Sequence, residues 1–359
     1  MQRHLNRRTF GTLIGAAAIA SGGRRSWAQS GRFAGQTLRI GTFGGTWADA
    51  IREAVGARFA EAGATLEFVT GSPQDNLAKA IAARRHGDPP FDAFEILGAT
   101  VPQIMALDLL QDIDYDAIPN AKILPEAQRQ PKLAAIWATQ EMIVYSPQQF
   151  HKLGLAAPVS LADLTDPRLA GRVMIPDISS GGGLEAVGAF AITAGDDETN
   201  IDPGLELMKR IQGLRLWKAG GEVVTSFKSG DIWAAEAHAG WAIRVNYAGV
   251  EVMTAPPKLG ANVGLIKDGW IGVARGTKHA ALAAFYIDAF LDTATQHLMA
   301  VKTGTVPVNP AAWSKLAETP VVKDMMVLDP ARIANMRRLD YAKIDLAMWN
   351  DRWNRIIAQ

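Results

Sequence analysis

The 359-residue sequence contains no cysteine. That excludes disulfides, thiolate metal sites, a cysteine nucleophile and a lipid-modified cysteine, so a folded chain of this composition must be stabilised by its apolar core. Histidine is scarce. The six, at 4, 86, 151, 238, 279 and 297, include no i, i+4 pair of the kind that binds zinc on a helix. There is no GxSxG elbow, no HExxH, no GxxxxGK[ST] and no GxGxxG, which removes the usual sequence grounds for a hydrolase, a metalloprotease, a P-loop NTPase or a dinucleotide enzyme. No metal or cofactor is expected. Nor is there an apolar run of the roughly 20 residues that a membrane span needs. Charge of one sign is also lacking, with 37 basic residues against 36 acidic.

The first 28 residues change that balance. Arg3, Arg7 and Arg8 precede an apolar segment from Leu13 to Ala20, and Ser26-Trp27-Ala28 carries small residues where a signal peptidase reads them. Arg7-Arg8-Thr9-Phe10 resembles a twin-arginine export signal, which implies export to the periplasm with cleavage after Ala28. Without this leader, 32 basic residues remain against 36 acidic ones. No basic excess is left to attract nucleic acid or an anionic membrane surface.

The remainder alternates short strand-like runs with helical patterns, an α/β signature. TLRIGTF (37–43), TLEFVTG (65–71) and FDAFEIL (91–97) read as strands. WADAIREAVGARFAEAG (47–63), with Ile51, Val55 and Phe59 on one face, and NLAKAIAARRHGD (76–88) read as the helices between them. A second set begins with the long apolar run 134–147. It continues through a strand ending at Pro176, two helices from Leu184 onward, and strand character in GEVVTSF, GWAIRVNYAGV and VEVMTAPP. It ends with a strand at 267–276, a helix of about 22 residues from His279, and a helical tail from Pro310.

Five segments then carry a resemblance. They are DAFEILGATVPQIMALDLLQDID, SLADLTDPRLAGRVMIPD, SGDIWAAEAHAGWA, APPKLGANVGLIKDGWIGVARGTKH and QHLMAVKTGTVPVNPAA. In order and spacing they resemble the periplasmic solute-binding proteins of ABC importers, in the spermidine/putrescine-binding branch. The resemblance implies two Rossmann-like lobes joined by crossover strands, the type II periplasmic binding protein fold. Residues 37–138 with 269–308 would form lobe one, and 139–268 with 309–359 lobe two. It further implies a non-enzymatic, monomeric binder that hands its solute to a membrane permease and ATPase, with no stable membrane anchor of its own. Ferric-binding relatives use adjacent tyrosines, and none of the five here are adjacent.

Two glycine-rich strand-to-helix turns fit a ligand at helix N-termini: Gly44-Gly45-Thr46-Trp47, and Ser179-Ser180-Gly181-Gly182-Gly183. Both offer unclaimed amides to an anion, and ordinary capped turns are the alternative. Where polyamine binders place acids, this chain has serines and glycines. His238 and Ile266 stand where that branch has tryptophans. The expected solute therefore bears an anionic group, amino-acid-like or aminophosphonate, with putrescine or spermidine as the alternative and a periplasmic ligand sensor as another. Asp268 and Trp270 are candidates to hold an amine. Arg244, in an apolar strand-like run, is a candidate carboxylate partner, and Thr139 and Glu141, with Trp137, lie on the first crossing. An exported hydrolase on the same scaffold would need a nucleophile and base that the sequence does not supply.

Overall fold

The computed structural model describes residues 31–84 and 87–358, so the segment expected to be an export signal lies outside the described residues. The eight principal strands are β1 (Thr37–Thr42), β2 (Thr65–Thr70), β3 (Ala93–Leu97), β4 (Leu133–Tyr145), β5 (Val173–Pro176), β6 (Arg215–Trp217), β7 (Ala234–His238) and β8 (Leu265–Ala274). They lie in one sheet in the order β2-β1-β3-β8-β4-β7-β5-β6. β1 pairs in parallel with β2 and β3, and β5 in parallel with β6 and β7. Between these two parallel sets run β4 and β8, antiparallel to each other. The order reads as two βαβ units joined through a pair of long strands, the periplasmic binding protein architecture expected from the sequence.

Local physics explains most elements. Helix Thr46–Glu61 buries Ile51, Val55 and Phe59 at four-residue spacing, and Gly63 at φ 73° ends the turn that follows. Helix Pro73–Ala83 starts with Pro at its first turn and a reciprocal Ser72–Asp75 capping box. β4 is buried on both faces over twelve of its thirteen positions, so its sequence shows no alternation. The apolar core falls into one cluster drawn from 33–137 and 270–308 and two drawn from 138–357.

Three segments differ from the sequence expectation. GEVVTSF belongs to a helix, Gly221–Ser229, because Val223 and Phe227 are buried at i, i+4 and Gly230 at φ 76° terminates it. Its β-branched residues suggested a strand, but tertiary packing outweighs that modest preference. WAIRVN likewise lies in a helix, Ala239–Tyr247. The long helix after His279 is two helices, Ala280–Leu291 and Thr293–Thr303. Asp292 breaks it, adopting an extended ψ of 142° and accepting the Ala294 N–H at 2.9 Å as an N-cap.

Candidate functional site

Side chains alternate across a strand, so the two faces of the crossing strands can be separated by register. Lys267 pairs with Thr139, Leu265 with Glu141 and Gly269 with Trp137. Glu141 pairs in turn with His238 of β7. One face of the sheet thus carries a continuous polar row: Thr42 and Glu95 from β1 and β3, Trp137, Thr139 and Glu141 from β4, Lys267 from β8, and Glu236 and His238 from β7. The loops after β1, β5 and β7 open onto this face.

At the β1 end the row is an aromatic corner. Trp47 donates its indole N–H to Glu95 Oε1 at 2.9 Å, and Trp137 donates to Oε2 at 3.1 Å. The Thr42 hydroxyl donates to Oε1 at 2.5 Å. Burial raises the Glu95 pKa to about 7 even though these three donors favour the carboxylate. The ring of Trp137 lies where a Cβ on Gly269 would sit, 2.1 Å away, so glycine is required opposite it. Gly45 caps helix Thr46–Glu61 at φ 60°, without any side-chain hydrogen bond. Gly44, Gly45 and Thr46 are exposed and Trp47 is partly buried. Thr46 is the first helical residue and not the cap. Its neighbouring amides therefore form an open helix N-terminus of the kind that attracts an anion.

The other end is built differently. Lys267 Nζ donates to the Gly181 carbonyl at 2.6 Å and lies 3.4 Å from Glu141 Oε1 and 3.5 Å from Glu185 Oε2. Thr139 donates to Glu141 Oε1 at 2.9 Å, and Tyr341 donates its hydroxyl to Glu185 Oε1 at 2.6 Å. Glu236 is 1% exposed, and its Oε2 has no partner among the described residues. Burial, reinforced by neighbouring carboxylates, raises the pKa values of Glu141 and Glu236. Burial alone would lower that of Lys267, yet the charges of Glu185 and Glu141 outweigh it and raise it. His238 accepts the Gly240 N–H at 3.1 Å, and burial holds its pKa well below the usual histidine value, so the ring is neutral.

The Ser179–Gly183 turn therefore meets the row but is partly occupied by the chain itself. Asp177 Oδ1 accepts both the Ser179 N–H at 2.9 Å and its hydroxyl at 2.6 Å. The Ser180 hydroxyl accepts the Gly182 N–H at 3.4 Å. Ser179 and Gly181 are exposed, while Gly182 is buried and faces Glu141. Helix Gly183–Thr193, which follows, has no side-chain cap.

Two sequence candidates lie elsewhere, and a third, Arg244, sits close to His238 on the helix that follows β7. Asp268, one residue along from Lys267, points to the opposite face. It accepts from Gln128 Nε2 at 2.8 Å and from Arg338 Nε at 3.0 Å. Trp270 packs into the apolar core and, with Asp268, Lys267 and Tyr341, lines a 580 Å³ cavity. A bulge between Gly269 and Trp270 breaks the register there. Arg244 is helical; it stacks over Trp241 at 4.2 Å and donates to the Thr303 carbonyl at 3.3 Å. Sequence reasoning missed Glu95, Glu185, Glu236, Lys267 and Tyr341. The available signal was a single acid inside an apolar strand run, as in AFEIL and AAEAH. Nothing local marks Tyr341.

Among the described residues no group of histidines and carboxylates is arranged to hold a metal ion, and no helix is long and apolar enough to cross a membrane. The profile of the bacterial extracellular solute-binding protein family matches residues 53–324, and the chain belongs to that family, whose members bind solutes and are not enzymes. Solved structures agree on the fold. An ABC transporter substrate-binding protein from Bradyrhizobium japonicum USDA 110 superposes with a TM-score of 0.73 at 19% identity, covering 90% of this chain and 99% of that one. An ABC transporter protein from Clostridium perfringens gives 0.70 at 23% identity over 89% and 99%. The periplasmic binding protein AgtB of A. tumefaciens R10, in complex with agropinic acid, gives 0.67 at 19% identity over 90% and 97%. Curated protein sequences give no significant match.

Proposed function

We propose that this protein is the periplasmic receptor of an ABC importer, exported by its twin-arginine signal, and that it captures a small amino-acid-like solute between two lobes. The lobes are residues 37–138 with 269–308 and residues 139–268 with 309–359. The apolar clusters that change over at 137/138 and 269/270 support that division, although Ala300, Val301 and Val306 of the 269–308 segment pack into a lobe-two cluster. Solute binding favours the closed form by the difference in its affinity for the two states, and the closed form docks on the permease.

One observation carries the choice of solute. Three of the acids that a diamine could use are already matched by the chain's own cations, Glu141 and Glu185 by Lys267, and Asp268 by Arg338. By contrast, the helix tip at Gly45-Thr46-Trp47 is exposed and uncapped. In this reading the solute's anionic group lies at that tip, and its amine lies against the partly exposed ring of Trp47, where a cation is favoured. Ser179, Ser180, Gly181 and Gly182 close over it from lobe two. The agropinic acid complex of a protein with the same fold is consistent with an amino-acid-like solute.

Titration calorimetry of the mature protein tests this against a panel of ω-amino acids, opine-like amino acids, aminophosphonates, putrescine and spermidine. Micromolar or tighter binding confined to compounds with an anionic group is the expected result. Tight binding of either unmodified polyamine overturns the solute class.

A further inference from the structure

The cluster at the lobe-two end of the row has the composition of a cation seat. Glu141, Glu185 and Glu236 are each at most 4% exposed, and the Gly181 carbonyl adds a fourth oxygen ligand. Buried carboxylates are stable only when a cation or a proton meets them. Here the cation comes from the protein. Lys267 projects from β8, where pairing with Thr139 fixes its position at the junction of the two halves. The unpartnered Glu236 Oε2 shows that the seat holds more acceptor capacity than one ammonium with these contacts uses. Gly181, which the ammonium holds, is itself exposed, so the seat lies just beneath the cleft surface.

We propose that Lys267 is an internal ammonium that fills this seat and thereby excludes the amine of a solute, setting selectivity against diamines and polyamines. The inference rests on reading the polar row as the floor of the binding cleft. It makes Lys267 a specificity-determining residue that need not touch the bound solute. Truncating it to glycine should leave a butylammonium-shaped hole beside Glu141, Glu185 and the Gly181 carbonyl.

Chemical rescue tests this directly. Thermal unfolding of Lys267→Gly is followed at pH 7 with added n-butylamine, with n-butanol as the uncharged control of equal length, and with putrescine. We expect the variant to melt lower than the unaltered protein. n-Butylamine and putrescine should raise its melting temperature saturably by several degrees, while n-butanol does not and the unaltered protein responds to none of them. An equal response to butanol and butylamine, or no response to either, overturns the proposal. If Lys267→Gly does not fold unaided, the yield on refolding with butylamine against butanol gives the same comparison. The double variant Lys267→Gly/Glu236→Gln, with the same hole and one acid fewer, should lose most of the amine response, and a full response there also overturns the proposal. The rescue is read on a monoamine, so it is separable from the solute panel: putrescine binding by the unaltered protein sinks the solute class, and absent rescue sinks the role of Lys267.

Discussion

The indole of Trp47 stands edge-on to that of Trp137, with ring centroids 5.3 Å apart at 70°, and both N–H groups end on the carboxylate of Glu95. A residue from a helix tip and one from a crossing strand are thus locked together by a buried acid. The arrangement holds two aromatic faces in fixed positions beside the open helix N-terminus.

Glu95 should make stability pH-dependent in a defined direction. Its folded pKa of about 7 lies above the ordinary glutamate value. Between roughly pH 4.5 and 7 the folded chain therefore keeps a proton that the unfolded chain has released, and the contribution to stability falls as pH rises. His238, held neutral, acts in the opposite sense below about pH 6.5, so the comparison must isolate Glu95. We expect the stability of Glu95→Gln relative to the unaltered protein to rise by up to about 3 kcal/mol between pH 4.5 and 8. Urea unfolding at four pH values measures it, and a flat difference would show that Glu95 is ionised throughout.

Gly98 follows β3, and a Cβ there would lie 2.1 Å from the ring of Tyr341, which comes from the far end of the chain. If the two halves close as proposed, this contact forms only in the closed form. Gly98→Ala should displace Tyr341 and weaken solute binding at least tenfold, with a larger radius of gyration in solution scattering when solute is present. Unchanged affinity would mean that the contact plays no part in closure.

Gly45 adopts φ 60° and ψ −140°, a conformation that costs other residues about 1–3 kcal/mol, while a Cβ there would meet nothing within 4 Å. Gly45→Ala should therefore lower stability by an amount in that range without a clash. If an anion sits at the tip, the same variant loses affinity for anionic solutes beyond what its stability explains. Calorimetry with equal affinities for both proteins would place the anion elsewhere.

Export is tested at the leader. Replacing Arg7-Arg8 by two lysines should leave the uncleaved precursor in the cytoplasm of a host with a working twin-arginine pathway. Cleaved protein in the periplasmic fraction would rule that route out.

Much of the scaffold was legible because its strands and helices are locally consistent. Leu38 and Ile40, or Ile51, Val55 and Phe59, announce their elements through spacing alone. Where two local tendencies competed, reading failed. The β-branched run at 223–225 sits in a helix because Val223 and Phe227 find a core to enter. Asp292 interrupts an apolar helix because its side chain satisfies an amide better than the helix would. The glycine turns and the crossing residues Thr139 and Glu141 were visible as positions, but their partners were not.

By itself the sequence determined the α/β alternation, the absence of thiol chemistry, and the places where glycine leaves backbone amides uncovered, since each depends only on residue type and short-range spacing. Which charges neutralise one another was decided by the tertiary structure alone. Lys267 lies 126 positions from Glu141 and 82 from Glu185, and only the sheet register and the fold of the second half bring the three within 3.5 Å. Electrostatics in a buried site depends on distance in space and on exclusion of water, and neither is written along the chain.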